Sequence, residues 1–109
     1  MEYQHKNLTD GGWKKLSLAE QLGNIGSETS RALNWREKNQ EYFKNAIFRA
    51  LELIDLTIAD TRWKWRLKEI VRLRELLCDT VFGDKEYGDN LEGINKYLFS
   101  FAVAARASI

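Results

Sequence analysis

The sequence LSLAEQLGNIGSETSRALNW, residues 16–35, carries the clearest helix signal in the chain, because its apolar and small residues recur at helical spacing. The residues expected on its buried face are Leu18, Leu22, Ile25, Thr29, Ala32 and Leu33. Ser17 and Glu20 have capping-box spacing, in which hydroxyl and carboxylate each accept a hydrogen bond from the other residue's backbone N–H. We therefore predict a helix that begins after Ser17 and ends near Glu37.

Small residues in this helix indicate a close crossing with a second helix. Ala19, Gly23 and Ser27 follow one another at four-residue intervals and so share one side of the helix. Gly23 and Gly26 each lower helix stability by about 1 kcal/mol relative to Ala, which calls for a structural reason. We favour close helix packing as that reason, and a ligand that contacts the backbone is the alternative.

Two further helices follow along the chain. Asn39 is suited to cap the first of them, which would end near Asp60. Asp60 or Thr61 would cap the next, which would end near Phe82 because Gly83 is a favourable helix stop. The expected core residues of the second helix are Phe43, Ile47, Ala50, Leu51, Ile54 and Ile58, with Phe48, Leu53 and Leu56 off that face. Those of the third helix are Trp63, Leu67, Ile70, Leu77 and Val81.

A fourth helix would begin after Asp89 or Asn90. Its expected core residues are Leu91, Ile94, Tyr97, Leu98, Phe101 and Ala105. Four amphipathic helices with short connections predict an all-α fold, an up-down-up-down antiparallel four-helix bundle over residues 16–109. Residues 1–15 are polar and contain two adjacent glycines, so we predict a flexible N-terminal arm there.

The composition argues against an enzyme. The 109 residues include one histidine, His5, and one cysteine, Cys78. A di-iron bundle needs Glu-x-x-His pairs, and a Ser or Cys nucleophile is usually activated by a histidine base. Glu52-Leu-Ile-Asp55 matches only half of the paired-carboxylate magnesium motif of helical nucleotide pyrophosphatases. We therefore expect no catalytic residue, metal, cofactor or small-molecule substrate.

The composition also bears on the compartment. Hydrophobic residues make up 44% of the chain, charged residues 30%, and proline is absent, which is typical of a folded helical protein. No apolar run is long enough to span a bilayer, and no signal-peptide core follows Met1. These features predict a cytoplasmic protein that does not bind membranes.

Positive charge is concentrated in the third predicted helix. From Arg62 to Asp79 the net charge is +3, whereas the whole chain carries only +1. Helical geometry places Lys64, Lys68 and Arg72 opposite the core face, with Trp65 and Leu76 beside them. The candidate residues for binding a nucleic acid or a protein partner are Arg62, Lys64, Trp65, Arg66, Lys68 and Arg72.

Three interpretations of this basic face remain open. It is a solvated surface, an oligomer interface for which the acidic second helix supplies countercharge, or an RNA-binding surface. In the last case Lys and Arg contact phosphates and Trp65 stacks on a base. The oligomer interpretation predicts an interface that contains Phe48, Leu56, Leu76 and Phe99.

Arg74 is predicted on the core face of the third helix, between Ile70 and Leu77. A buried guanidinium needs a carboxylate partner. The candidate partners are Glu28, Glu52 and Asp55. We favour a structural ion pair over a functional one.

Four stretches resemble a widespread group of small prokaryotic four-helix-bundle proteins of uncharacterised function. They are LSLAEQLGNIGSETSRALNW (16–35), RALELIDLTIAD (49–60), RLKEIVRLRELLCDTVFGDKEY (66–87) and YLFSFAVAARAS (97–108). In size and helix layout this group is similar to the proteins encoded in intervening sequences of large-subunit ribosomal RNA. It is also similar to the accessory variability determinant of diversity-generating retroelements, a basic homopentamer that binds a reverse transcriptase and its RNA. The resemblance implies a homo-oligomer with partners of that kind and assigns no site residues.

Taken together, residues and resemblance predict a non-enzymatic accessory protein. It would be a homo-oligomeric helical bundle that binds RNA, or a nucleic-acid enzyme such as a reverse transcriptase, through its basic third helix. The alternative is a protein-interaction or self-assembly module that binds no nucleic acid.

Overall fold

Four α-helices make up most of the computed structural model, which describes residues 11–82 and 91–107. They are α1 (Leu18–Trp35), α2 (Gln40–Ala59), α3 (Leu67–Phe82) and α4 (Leu91–Ala107). Two short 3-10 helices, Trp13–Lys15 and Thr61–Arg66, precede α1 and α3. These ranges contain no strand, so the all-α prediction is confirmed.

The contacts of α1 show that it runs antiparallel to its two main neighbours. Arg36, directly after α1, pairs with Glu92 in the first turn of α4. Gly23, in the first half of α1, lies against Ala102 in the last half of α4. The connection from α1 to α2 spans only residues 36–39, which brings the chain straight back along α1.

The remaining pairs complete the same arrangement. Phe48 of α2 stacks on Phe82 at the end of α3, with ring centroids 5.9 Å apart. About two turns later in α2, Asp55 pairs with Arg74, which lies about two turns earlier in α3. Tyr97 of α4 donates a hydrogen bond to Glu69 in the first turn of α3. Each helix is therefore antiparallel to the next, and the predicted up-down-up-down bundle is confirmed.

Packing between the helices is uneven. α1 packs closely against α2 on one side and α4 on the other, whereas α3 packs less closely on α2 and α4. The fully enclosed side chains of the core include Ile25, Ile47, Ile54, Leu77, Leu91 and Leu98. α3 is thus the helix with the least interhelical support.

The close contact of α1 with α4 explains the glycines of α1. A Cβ at Gly23 would lie 3.0 Å from the Cα of Ala102, and a Cβ at Gly26 would lie 3.0 Å from the Cβ of Leu98. Both distances are too short for an unstrained side-chain contact, so glycine lets the two backbones approach. The close helix crossing predicted from these residues is confirmed.

Both predicted caps of the first two helices are present. The Ser17 hydroxyl accepts from the Glu20 backbone N–H at 3.1 Å, and the Glu20 carboxylate accepts from the Ser17 backbone N–H at 2.9 Å. The Asn39 side chain accepts from the backbone N–H of Tyr42 at 3.0 Å, directly before α2. α1 ends at Trp35, two residues earlier than predicted.

The beginning of the third helix differs from the prediction. Residues Thr61–Arg66 are 3-10 helix, with a kink at Trp63 (φ −106°, ψ 24°), and regular α-helix begins only at Leu67. Leu67, predicted in the core, is 40% exposed, because the buried face of α3 is centred near Leu73. The buried residues of α3 are Ile70, Leu73, Leu77 and Thr80.

A second correction concerns Leu53 of α2, which was predicted off the core face and is buried. α2 lies between α1 and α3, so a wider sector of its surface is covered than on a helix with one neighbour. Ala46 and Thr57 belong to the same widened buried sector.

Part of the predicted N-terminal arm lies within the described residues. Trp13, in its 3-10 helix, is buried in the hydrophobic core. Residues 1–10, with His5, lie outside the described residues, as do the predicted stop at Gly83 and the predicted cap at Asp89 or Asn90. Among the helices that the structure describes, none combines the length and the apolar character needed to cross a bilayer.

Candidate functional site

The 3-10 helix that precedes α3 is fixed by Asp60. The Asp60 carboxylate accepts from the backbone N–H of Arg62 at 3.2 Å and from the Arg62 guanidinium at 2.7 Å. The same guanidinium donates to the backbone carbonyl of Leu16 at 2.8 Å. Hydrogen bonds from Arg62, with a smaller contribution from Gln21, lower the pKa of Asp60 to about 2 against the opposing effect of burial.

Gln21 connects this 3-10 helix to the rest of the bundle. Its fully buried amide group donates to the Trp13 carbonyl at 2.9 Å and to Asp60 Oδ2 at 3.0 Å. Its Oε1 accepts from the indole N–H of Trp63 at 2.9 Å. The indole N–H of Trp13 in turn donates to Thr57 Oγ1 at 3.2 Å. We call Trp13, Gln21, Thr57, Asp60, Arg62 and Trp63 the Gln21 network.

This network holds the backbone on which Lys64 and Trp65 lie. Asp60 and Arg62 fix the beginning of the 3-10 helix, and Trp63 is fixed by Gln21. The side chains that follow therefore project from a supported segment rather than from a loose connection. Arg62, predicted as a ligand-binding residue, is engaged in this support.

Trp65 is the most exposed large hydrophobic side chain of the described residues, with 75% of its surface accessible. The Arg66 guanidinium lies 5.3 Å from the centroid of the Trp65 ring, in a cation–π contact. The exposed side chains of Lys64 and Lys68 make no ion pair or hydrogen bond with any residue in 11–82 or 91–107. An indole is thus presented to solvent between two lysines that have no partner among the described residues.

A shallow depression of about 710 Å³ extends from Trp65 along the outside of α3. We call its lining the α3 outer face, and it consists of Lys64, Trp65, Leu67, Lys68, Val71, Arg72 and Glu75. Three cations and one carboxylate thereby surround an apolar floor. The sequence identified the cations, but it placed Leu67 in the core and did not assign Val71 to this surface.

The two remaining arginines of the predicted site have partners within the chain. Arg66 donates two hydrogen bonds to Glu69, at 2.7 and 2.8 Å, and Tyr97 also donates to Glu69. These contacts lower the pKa of Glu69, and burial together with the Glu69 contact raises the pKa of Tyr97 to about 12. Arg72 lies 3.4 Å from Glu75 at an exposed position, where an ion pair contributes little.

The residues of the predicted oligomer interface lie at different places. Phe48 is exposed and stacks on Phe82, and Phe99 is 58% exposed on α4. Leu56 and Leu76 are partly buried against the core, with Leu76 also facing α4. Burial between subunits stays a prediction for all four.

Two carboxylates of the acidic second helix are already used within the chain. Asp60 pairs with Arg62, and Asp55 pairs with Arg74 at 2.8 Å. The Asp55–Arg74 pair settles the partner of Arg74, but its side chains are 51% and 40% exposed, so the expected burial of this guanidinium is wrong. Arg74 directly follows Leu73 in the regular helix and therefore lies at the edge of the buried face formed by Ile70, Leu73, Leu77 and Thr80. Less countercharge is left on α2 for a neighbouring subunit than the sequence suggested.

No metal-binding arrangement occurs in the part of the chain that the structure describes, since no three acidic, His or Cys side chains lie together there. Asp55, from the partial magnesium motif, is instead bound to Arg74. The chain matches no protein-family model, and neither the curated proteins nor the solved structures include a significant match. The family resemblance drawn from the sequence stays a prediction.

Proposed function

We propose that this chain is a non-enzymatic accessory protein that binds single-stranded RNA on the α3 outer face. The observation that carries the proposal is the 75% exposure of Trp65 between two lysines without partners in the described chain. The Gln21 network supports the backbone beneath these side chains, so little ordering is needed before a ligand binds.

The chemistry of the α3 outer face suits a single strand. An exposed indole is a stacking surface for any base, and stacking on an aromatic side chain contributes about 1–3 kcal/mol per base. Lys64, Lys68 and Arg72 supply positive charge for the phosphates on either side. The apolar floor at Leu67 and Val71 offers further contact area for bases that are not paired. A duplex, whose bases are already stacked, would leave the indole unused.

The direct test is binding of a fluorescein-labelled oligouridine of roughly 12 nucleotides, followed by anisotropy at about 50 and 200 mM salt. We expect the double substitution Lys64→Glu/Lys68→Glu to abolish binding. Lys38→Glu/Lys44→Glu, which changes the net charge equally at exposed positions of α1–α2, should leave most of it. Equal losses in both variants would show only an effect of net charge.

A second comparison separates stacking from charge. Trp65→Ala should weaken binding by about tenfold or more with an unchanged salt dependence, because no phosphate contact is lost. Phe99→Ala, which removes another exposed aromatic side chain, should have no effect. Absence of binding by the wild-type protein at the lower salt concentration would overturn the proposal.

Self-association is a second candidate function, and the outer side of α4 favours it. Phe99 and Val103 are four residues apart and both exposed, so they form a small apolar ridge. A second copy of the chain that covers this ridge would give a homo-oligomer. Light scattering at high micromolar concentration tests it: a wild-type oligomer that Phe99→Asp converts to a monomer supports the candidate, and a wild-type monomer contradicts it.

A further inference from the structure

A groove of about 440 Å³ separates α3 from α4. It exists because α3 packs only lightly on α4 and because Gly93 contributes no side chain at its border. Leu73 and Ile94, both core residues, form the floor, and Leu76 and Tyr97 form the walls. Leu73 and Ile94 are only 6% and 5% exposed, so the accessible apolar surface of the groove comes mainly from Leu76 and Tyr97.

One carboxylate, that of Glu69, lines this groove, and its negative charge is balanced by an ion pair. Glu69 accepts two hydrogen bonds from Arg66 and one from Tyr97, which keeps its charge engaged at one end of the groove. The Tyr97 ring is also held in place by an edge-on contact with Phe101, at 5.2 Å between ring centroids. This end of the groove is thus a fixed wall without a free negative charge.

The rims of the groove are positively charged on both sides. On α3, Arg72 lines the groove and Lys68 lies one turn before it, on the same side of the helix. On α4, Lys96 is exposed three residues after Gly93 and makes no ion pair with a described residue. Glu75, the ion-pair partner of Arg72, lies on the α3 outer face. An occupant with acidic residues on its flanks would complement this arrangement.

We propose that the groove between α3 and α4 binds an amphipathic helix of a partner protein, with apolar anchors facing Leu73, Leu76 and Ile94 and acidic flanks facing Lys68, Arg72 and Lys96. The lining on α3 runs from Glu69 to Leu76, eight residues that span about 10 Å of helix. That length matches two turns of a bound helix, which presents apolar residues at positions i, i+3 or i+4, and i+7.

The groove adjoins the RNA site and shares Lys68 and Arg72 with it, but the proposal does not rest on RNA binding. Trp65 and Leu67 lie on the outer side of α3, while Leu76 and the α4 residues lie in the groove. Lys96 belongs to α4 alone. Variants at Lys96 and at Trp65 therefore report on the two surfaces separately.

The probe is a labelled helical peptide of roughly 14 residues, with leucines at i, i+4 and i+7 and glutamates on both flanks. A scrambled peptide of the same composition and a peptide with lysine flanks are the controls. We expect the acidic amphipathic peptide to bind and the two control peptides to bind at least about tenfold more weakly. Equal binding of the scrambled peptide, or no binding of the designed one, would overturn the proposal.

Variants of the protein then locate the site. Lys96→Glu should weaken peptide binding by about threefold or more, whereas Lys44→Glu, a matched exposed lysine on α2, should not change it. Leu76→Asp should remove binding, and since Leu76 is partly buried, circular dichroism must show that this variant folds. Trp65→Ala should leave peptide binding intact. An unchanged affinity for Lys96→Glu, or RNA binding that depends on Lys96 while the peptide does not bind, would contradict a peptide groove.

Discussion

Gln21 holds together three segments that are far apart in sequence: the turn at Trp13, the end of α2 at Asp60 and the kink at Trp63. All of its polar atoms have partners, and no water is needed to satisfy them. A buried amide with a complete set of hydrogen bonds is stabilising, but each partner becomes a buried unsatisfied group once the amide is removed.

Replacing Gln21 with Leu should therefore lower the free energy of unfolding by about 2–4 kcal/mol, although Leu is apolar and similar in size. The matched control is Asn24→Leu on the exposed side of α1, for which we expect a change within about 0.5 kcal/mol. Urea denaturation followed by circular dichroism measures both values. Similar losses in the two variants would mean that the hydrogen bonds of Gln21 contribute nothing specific.

Asp60 should make the stability of the protein depend on pH in the acid range. Its pKa is about 2 in the folded protein and 3.8 in an unfolded reference, so the folded state binds the proton less readily. The resulting stabilisation, about 2 kcal/mol, is complete above pH 4 and disappears as the pH falls through 2. Asp60→Asn should be less stable than the wild type at neutral pH, and the difference should shrink at acid pH. A constant difference from neutral pH to pH 2 would contradict this assignment.

Among the helices, α1 and α4 depend most on small residues at their contact. Gly23→Ala gains about 1 kcal/mol of helix propensity but places a Cβ against the backbone of Ala102. Because α4 would have to move as a unit, we expect a net loss of about 1–3 kcal/mol. Ser27→Ala, at an exposed position of the same helix, is the control and should change stability little. A stabilised Gly23→Ala variant would show that α4 shifts away easily.

Helix positions, caps and most core residues could be predicted from local sequence. Ser17, Glu20 and Asn39 are cap residues whose partners lie within three positions, so no tertiary information is needed. Leu67 and Arg74 were misplaced for one shared reason. The sequence pattern placed the buried face of the third helix on the side of Leu67 and Arg74, whereas the structure buries Ile70, Leu73, Leu77 and Thr80. The 3-10 helix and the kink before α3 were also missed, and the hydrogen bond of Trp63 to Gln21 at the kink is a tertiary contact that helical periodicity does not reveal.

The candidate site was predictable to a similar extent. The basic residues and the exposure of Trp65 follow from their spacing along the chain. The intramolecular partners of Arg62 and Arg66 do not, because Asp60 and Glu69 reach them only in the folded geometry. One signal for the Gln21 network was present: Gln21 stands on the apolar face of the first helix, where a polar residue requires buried partners.

In the molecule as a whole, α3 is less closely packed than the other three helices. α1 packs closely on α2 and on α4, while α3 is held by looser packing, the Gln21 network and the exposed Asp55–Arg74 pair. We expect backbone amides in α3 to exchange hydrogen faster than those of α1 and α2, since opening α3 exposes less apolar surface. Hydrogen exchange followed by mass spectrometry measures this. Equal protection of all four helices would show that the bundle opens only as one unit.

The four tryptophans differ in their surroundings, so the intrinsic fluorescence of the protein can report on separate parts of the structure. The Trp13 indole is enclosed and hydrogen-bonded at one end of the bundle, whereas the Trp65 indole is open to water. Iodide in solution should quench the emission of Trp65 and hardly affect that of Trp13. A ligand that covers the α3 outer face would shield Trp65 from iodide, and loss of the packed bundle end would shift the emission of Trp13 to longer wavelength. Two separate events in the same chain are thus visible without any attached dye.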